Sequence, residues 1–73
     1  MLLKGVRVRL TKDHRELRFV ETFKAGEIGQ LGQRYRIQDG VEIWQVILET
    51  RRPWQGRLIP VILAVPHTDM EEC

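Results

Sequence analysis

The chain contains no serine, one cysteine and two histidines, and these shortages remove most covalent and metal chemistry at the outset. The serine nucleophile is missing altogether, and the only thiol, Cys73, falls in the last residues of the sequence, outside any segment patterned to hold an activated nucleophile. Cys73 has no second cysteine with which to form an internal disulfide or a cysteine metal site. It reads as an inert thiol or, on oxidation, as one half of an intermolecular bridge. His14 and His67 are far apart and lack cysteine support, so a protein-built metal centre with three converging ligands is not expected. The carboxylates Glu42, Glu49, Glu71 and Glu72 read as solubilising charges, and the expectation is a non-enzyme with no cofactor. Long apolar runs are also missing. Met1-Leu2-Leu3 is interrupted at once by Lys4-Gly5, and nothing approaches the roughly 18 apolar residues of a membrane span. No signal peptide and no membrane partner are expected, and the default setting is cytoplasmic.

What the sequence does contain is enough apolar material for one compact core: 42% of its 73 residues are hydrophobic and 30% charged. That length allows a single small domain, burying only about 60% of the surface its unfolded chain exposes. The domain is expected over residues 1–66, with 67–73 a flexible acidic tail. The net charge of +2 hides a gradient. Residues 1–20 carry six basic side chains against Asp13 and Glu16, residues 21–50 carry three against five acidic ones, and Asp69, Glu71 and Glu72 balance Arg51, Arg52 and Arg57. The body ahead of Asp69 is therefore more basic than the whole and suited to an anionic partner.

Hydrophobic periodicity divides the chain into short strands. Val6, Val8 and Leu10 alternate with Arg7 and Arg9, the period of a half-buried strand. Gly26 and Gly29 lead into a second strand through Leu31, and Arg34-Tyr35-Arg36-Ile37 continues it or forms a third. Asp39-Gly40 is a hairpin signal, because both central positions of the favoured two-residue turn need positive φ. The strand that follows, 41–49, sets Trp44, Val46 and Leu48 on one face and Ile43 and Ile47 on the other, the pattern of a central strand. Residues 51–56 read as a loop by their proline and glycine, Leu58-Ile59 as a short strand, and 60–63 as one possible turn of tight helix before Ala64-Val65 resumes. Residues 11–25 have two readings. One is a long, partly paired loop; the other is a helix over 13–25, opened by Asp13 with Glu16 as a capping box and closed by Gly26. The first gives an all-β domain, the second an α+β one.

The strand Gly5-Val6-Arg7-Val8-Arg9-Leu10, of form G-x-x-V-x-L, and Gly26 to Leu31, of form G-x-x-G-x-L, resemble the openings of SH3-like small barrels of bacterial and phage type. The likeness covers nearly all of residues 4–65. It implies an all-β, mainly antiparallel barrel of about five strands. Related barrels serve as nucleic-acid-binding modules and as accessory subunits of larger complexes.

Two groups of residues are candidates for binding. In the segment 51–57, Arg51, Arg52 and Arg57 surround Trp54; an aromatic plate beside guanidinium groups can stack an exposed base while the cations meet phosphates. The same composition anchors protein interfaces, and the bland alternative has Trp54 folded back over the barrel end. Arg7 with Arg9, and Arg34 with Arg36, each share a face if strand alternation holds, and adjacent strands would merge all four into one basic surface. Its alternative is an ordinary charged face whose arginines meet carboxylates such as Glu27 or Glu42. The expected partner is accordingly nucleic acid or an acidic protein surface. Self-association as a homo-oligomer, through a sheet edge or a patch around Ile43 and Ile47, is the competing expectation.

Overall fold

The structure, a computed structural model, describes residues 2–16 and 22–73. It is all-β, with strands β1 (Arg7–Leu10), β2 (His14–Arg15), β3 (Thr22–Phe23), β4 (Ile28–Gln38), β5 (Val41–Leu48), β6 (Arg52–Trp54), β7 (Arg57–Ile59), β8 (Ile62–Pro66) and β9 (Met70–Glu72), and a 3₁₀ turn at His67–Asp69. Five strands make one antiparallel sheet in the order β8-β5-β4-β1-β9, while β2 with β3 and β6 with β7 form two separate hairpin arms. Among the described residues no ladder joins the two edge strands, β8 and β9.

The alternation that marks the strands also builds the core. Val8 and Leu10 of β1, Leu31 of β4, Trp44, Val46 and Leu48 of β5, Leu63 and Val65 of β8, and Met70 of β9 are buried in one cluster with Phe23 and Val61. Side chains from both edge strands reach the same cluster, so the sheet is coiled around its own inner face. Two irregularities in β4 allow this. Its pairing with β5 runs Leu31↔Val46, then Arg34↔Trp44, then Arg36↔Ile43, so β4 spends one extra residue at each step. Such bulges bend a strand and increase its twist. At the first of them the Gln45 side chain lies over Gly32, in the space a Cβ would need, and its Oε1 accepts the Gln33 N–H at 3.2 Å.

Gly29 has a stricter role, because a Cβ there would stand 2.7 Å from the Ile47 carbonyl oxygen and 2.8 Å from a Val46 methyl. Backbone cannot move aside as a side-chain tip can. Gly29→Ala is expected to lower stability by about 1–3 kcal/mol, and Gly32→Ala, which displaces only Gln45, by about 1 kcal/mol. Urea unfolding midpoints of the two variants test the order; equal losses would contradict it.

Several expectations change. His14–Arg15 and Thr22–Phe23 pair as extended chain, which excludes a helix over 13–25, although residues 17–21 lie outside the described residues. The Asp13 carboxylate caps no helix; it accepts the Ala25 N–H at 2.9 Å and so closes the arm across its base. The tight helical turn expected at 60–63 is absent. Val61 is buried and its carbonyl accepts the Leu48 N–H, extending the β5–β8 ladder instead.

The largest correction concerns residues 67–73. They are not a tail: Met70–Glu72 pair with β1 through Leu10↔Met70, Arg9↔Glu71 and Val8↔Glu72, and the Met70 side chain is 7% exposed. Around this strand Thr11 N–H donates to the Asp69 carbonyl, Cys73 N–H donates to the Arg7 carbonyl, and Glu42 N–H donates to His67 Nδ1 at 3.0 Å. The domain therefore runs through residue 73. Main-chain pairing needs no apolar pattern, and here one methionine supplies the buried anchor.

Candidate functional site

The arginine-rich segment is a hairpin. β6 and β7 pair through Arg52↔Ile59, Pro53↔Leu58 and Trp54↔Arg57, and the turn between them holds Gln55 at φ 50° and Gly56 at φ 78°. Positive φ at both central residues is the combination that matches the twist of paired strands; the Asp39-Gly40 turn, at 53° and 78°, does the same between β4 and β5. Strand alternation gives the β6–β7 hairpin two faces. Pro53 and Leu58 lie on one, with Leu58 65% exposed; Arg52, Trp54, Arg57 and Ile59 lie on the other.

That second face changes character along its length. At its base Arg52 and Ile59 are partly buried, whereas Trp54 and Arg57 at the tip are exposed. Arg52 fixes the base. Its guanidinium donates to the Glu27 carboxylate at 2.6 Å and lies over the Phe23 ring, 5.4 Å from its centroid. One side chain thus ties the hairpin to the start of β4 and to the β2–β3 arm. Trp54 is 51% exposed, so it does not fold back over the end of the sheet. Arg51 and Arg57 make no ion pair with any described residue.

The four strand arginines do not form one basic face. In register, Arg7 stands opposite Gln30 and Arg9 opposite Ile28, while Arg34 and Arg36 lie beyond the part of β4 that β1 covers. The second bulge also divides the latter pair. Arg34 pairs with Trp44 and Arg36 with Ile43, and adjacent β5 residues leave opposite faces. Most of their charge is already met. Arg7 makes a two-pronged contact with Glu49 at 2.8 and 3.1 Å, Arg9 donates to Glu71 at 2.8 Å, and Arg34 donates to Glu42 at 3.2 Å. Arg36 hydrogen-bonds Gln38. The sequence could not show these pairings, because Glu49 and Glu71 stand 42 and 62 positions from their partners.

Three carboxylates are held below the usual range. The Trp44 indole N–H does this to Glu42, with Arg34 adding to it; the Arg7 guanidinium does it to Glu49; and the Ala25 backbone N–H does it to Asp13. A carboxyl that binds its proton less tightly when folded stabilises the fold above its ordinary value of about 4. This stability is lost as pH falls through the depressed folded values. Denaturant midpoints are therefore expected to fall steadily on acidification below about pH 5, and a flat profile would show that these contacts carry no weight in solution.

Other chemistry finds little support among the described residues. No three His, Cys, Asp or Glu side chains converge as metal ligands, and no helix is long and apolar enough to cross a membrane. An open groove of about 420 Å³ runs beside the hairpin base, lined by Lys24, Ala25, Gly26, Glu27, Ile28, Glu49 and Thr50; its two carboxylates are the ones that Arg52 and Arg7 engage. Comparison with protein-family models, with curated proteins and with solved structures gave no match.

Proposed function

We propose that the protein is a non-catalytic, cytoplasmic binding module that takes nucleic acid on its β6–β7 hairpin. The observation that carries this reading is the tip itself, where a half-exposed Trp54 stands directly across from Arg57, and neither side chain hydrogen-bonds or ion-pairs with a described residue. A base stacked on an indole contributes about 1–3 kcal/mol, and a neighbouring guanidinium meets the phosphate that comes with it. The likeness to SH3-like barrels agrees with this use, since related barrels include nucleic-acid-binding modules. Arg7, Arg9 and Arg34 contribute little, being already bound to carboxylates.

A labelled oligonucleotide titrated at low salt tests the proposal. Binding that weakens on raising salt supports it; no binding of DNA or RNA at low salt refutes it. Self-association has one observation in its favour, the pairing of Ile47, 37% exposed, with Ile62 on the outward face of β5 and β8. A native mass of twice the chain, with no oligonucleotide bound, would favour that reading instead.

A further inference from the structure

The charge left free at the hairpin is small, and this narrows the ligand. Double-stranded DNA carries one charge per about 1.7 Å of axis, and a protein that grips a duplex does so with an extended row of cations. The arginines of the candidate site do not form such a row. Of the eight candidate residues, Arg7, Arg9, Arg34 and Arg52 each contact a carboxylate. Arg36 stands at the opposite end of β5 from the hairpin, since the β4–β5 turn closes one end of that strand and β6 leaves from the other. Arg57 at the hairpin tip and Arg51, the residue just ahead of β6, have no ion pair with a described residue.

The aromatic group narrows it further. Trp54 stands half exposed at the end of a two-stranded arm that is only three residues long on each side. In a duplex the faces of the bases are covered by their neighbours; in a single strand they can be splayed apart and stacked on a side chain. Arg52 belongs to neither task. Its guanidinium is occupied by Glu27 and Phe23, on the same hairpin face as Trp54 but at the base.

Resting on the functional reading above, we infer that the hairpin is selective for single-stranded nucleic acid, holding one unstacked base on Trp54 and two phosphates on Arg51 and Arg57, with Arg52 turned to the protein and making no phosphate contact. This division of labour has a numerical signature. Two phosphate contacts on a single strand give a slope of log affinity against log salt of about −1.4, whereas three would give about −2.1.

The test is fluorescence anisotropy with labelled oligothymidylate and oligouridylate of about a dozen nucleotides, and with a duplex of the same length, over a range of salt. The single strands are expected to bind more tightly than the duplex, with a slope near −1.4 for the parent protein. Trp54→Ala should weaken binding roughly 5- to 150-fold. Arg57→Ala should bring the slope down by about 0.7, and Arg52→Gln should leave it unchanged. Should Arg52→Gln fail to fold, the parent slope alone still separates two contacts from three. Equal or tighter binding of the duplex, a slope of about −2 or steeper, or indifference to Trp54→Ala would overturn the inference while leaving nucleic-acid binding intact. No binding of any strand would instead bring down the functional reading on which it rests.

Discussion

A chain ended at Pro66 is expected to lose cooperative folding. Truncation there removes β9 and the 3₁₀ turn, and with them Met70, whose burial against Leu10 and the rest of the core is worth about 2–5 kcal/mol by comparison with other buried methionines. It also uncovers β1, which becomes an edge strand with backbone groups of Arg7, Arg9 and Thr11 unpaired on one side. The Arg9–Glu71 and Lys12–Asp69 ion pairs go as well, a minor loss at exposed positions. A 73-residue domain has roughly 4–11 kcal/mol of stability in all, so the truncation removes most or all of it. Circular dichroism during a thermal melt is the direct measurement. A truncated chain melting within a few degrees of the full one would mean that β9 is not part of the cooperative unit. Met70→Ala tests the same point without shortening the chain and should lower stability by about 2–5 kcal/mol.

The second large effect separates the two tryptophans. Trp44 is 8% exposed and lies in the core between Val65 on one neighbouring strand and Arg34 on the other. Trp44→Ala is expected to cost about 3–5 kcal/mol through the cavity it leaves, and it strips from Glu42 the indole N–H that most lowers its pKa. Trp44→Phe keeps most of the volume and loses that hydrogen bond and part of the packed ring, a smaller penalty of about 1–3 kcal/mol; the acid sensitivity of the fold should lessen with it, because Glu42 returns toward its ordinary range. Trp54→Ala should change stability by no more than about 0.5 kcal/mol while removing the stacking surface. Chemical denaturation of the three variants decides the matter. A Trp54→Ala variant as unstable as Trp44→Ala would place Trp54 in the structural core and remove the basis for a binding hairpin.

Much of the architecture was legible from local pattern. The alternation over 6–10 and 41–48 identified the inward residues of β1 and β5, and Asp39-Gly40 marked a turn whose backbone the structure shows at positive φ on both residues. Alternation alone puts Trp44 on one face with Val46 and Leu48, and all three are buried. The two bulges in β4 were not legible, because nothing in Gly32-Gln33-Arg34-Tyr35-Arg36 states which residues will be left over when β5 pairs with it. Their consequence was a misplaced expectation for Arg34 and Arg36. A bulge shifts the parity of every residue after it, and a face read by counting in twos fails at that point.

The candidate site divides in the same way. Its composition, Arg51-Arg52-Pro53-Trp54-Gln55-Gly56-Arg57, was plain in the sequence. Which of its arginines remain available was not. Arg52 is taken by a carboxylate 25 residues earlier in the chain and by a phenylalanine on a separate arm, and no local rule relates those positions.

The absences with which the sequence begins therefore decided what this protein lacks the residues to do: it has no serine, and its one cysteine has no partner in the chain. Composition and periodicity, which act through neighbours a few residues apart, also determined that it folds as short antiparallel strands with Trp44 inside. Tertiary structure alone decided that 67–73 is a 3₁₀ turn and a paired strand, that Arg7, Arg9, Arg34 and Arg52 meet carboxylates, and that Trp54 stands clear of the core. Each of these depends on contacts between residues distant in the chain, formed by main-chain pairing and by charges that find one another only once the sheet has coiled.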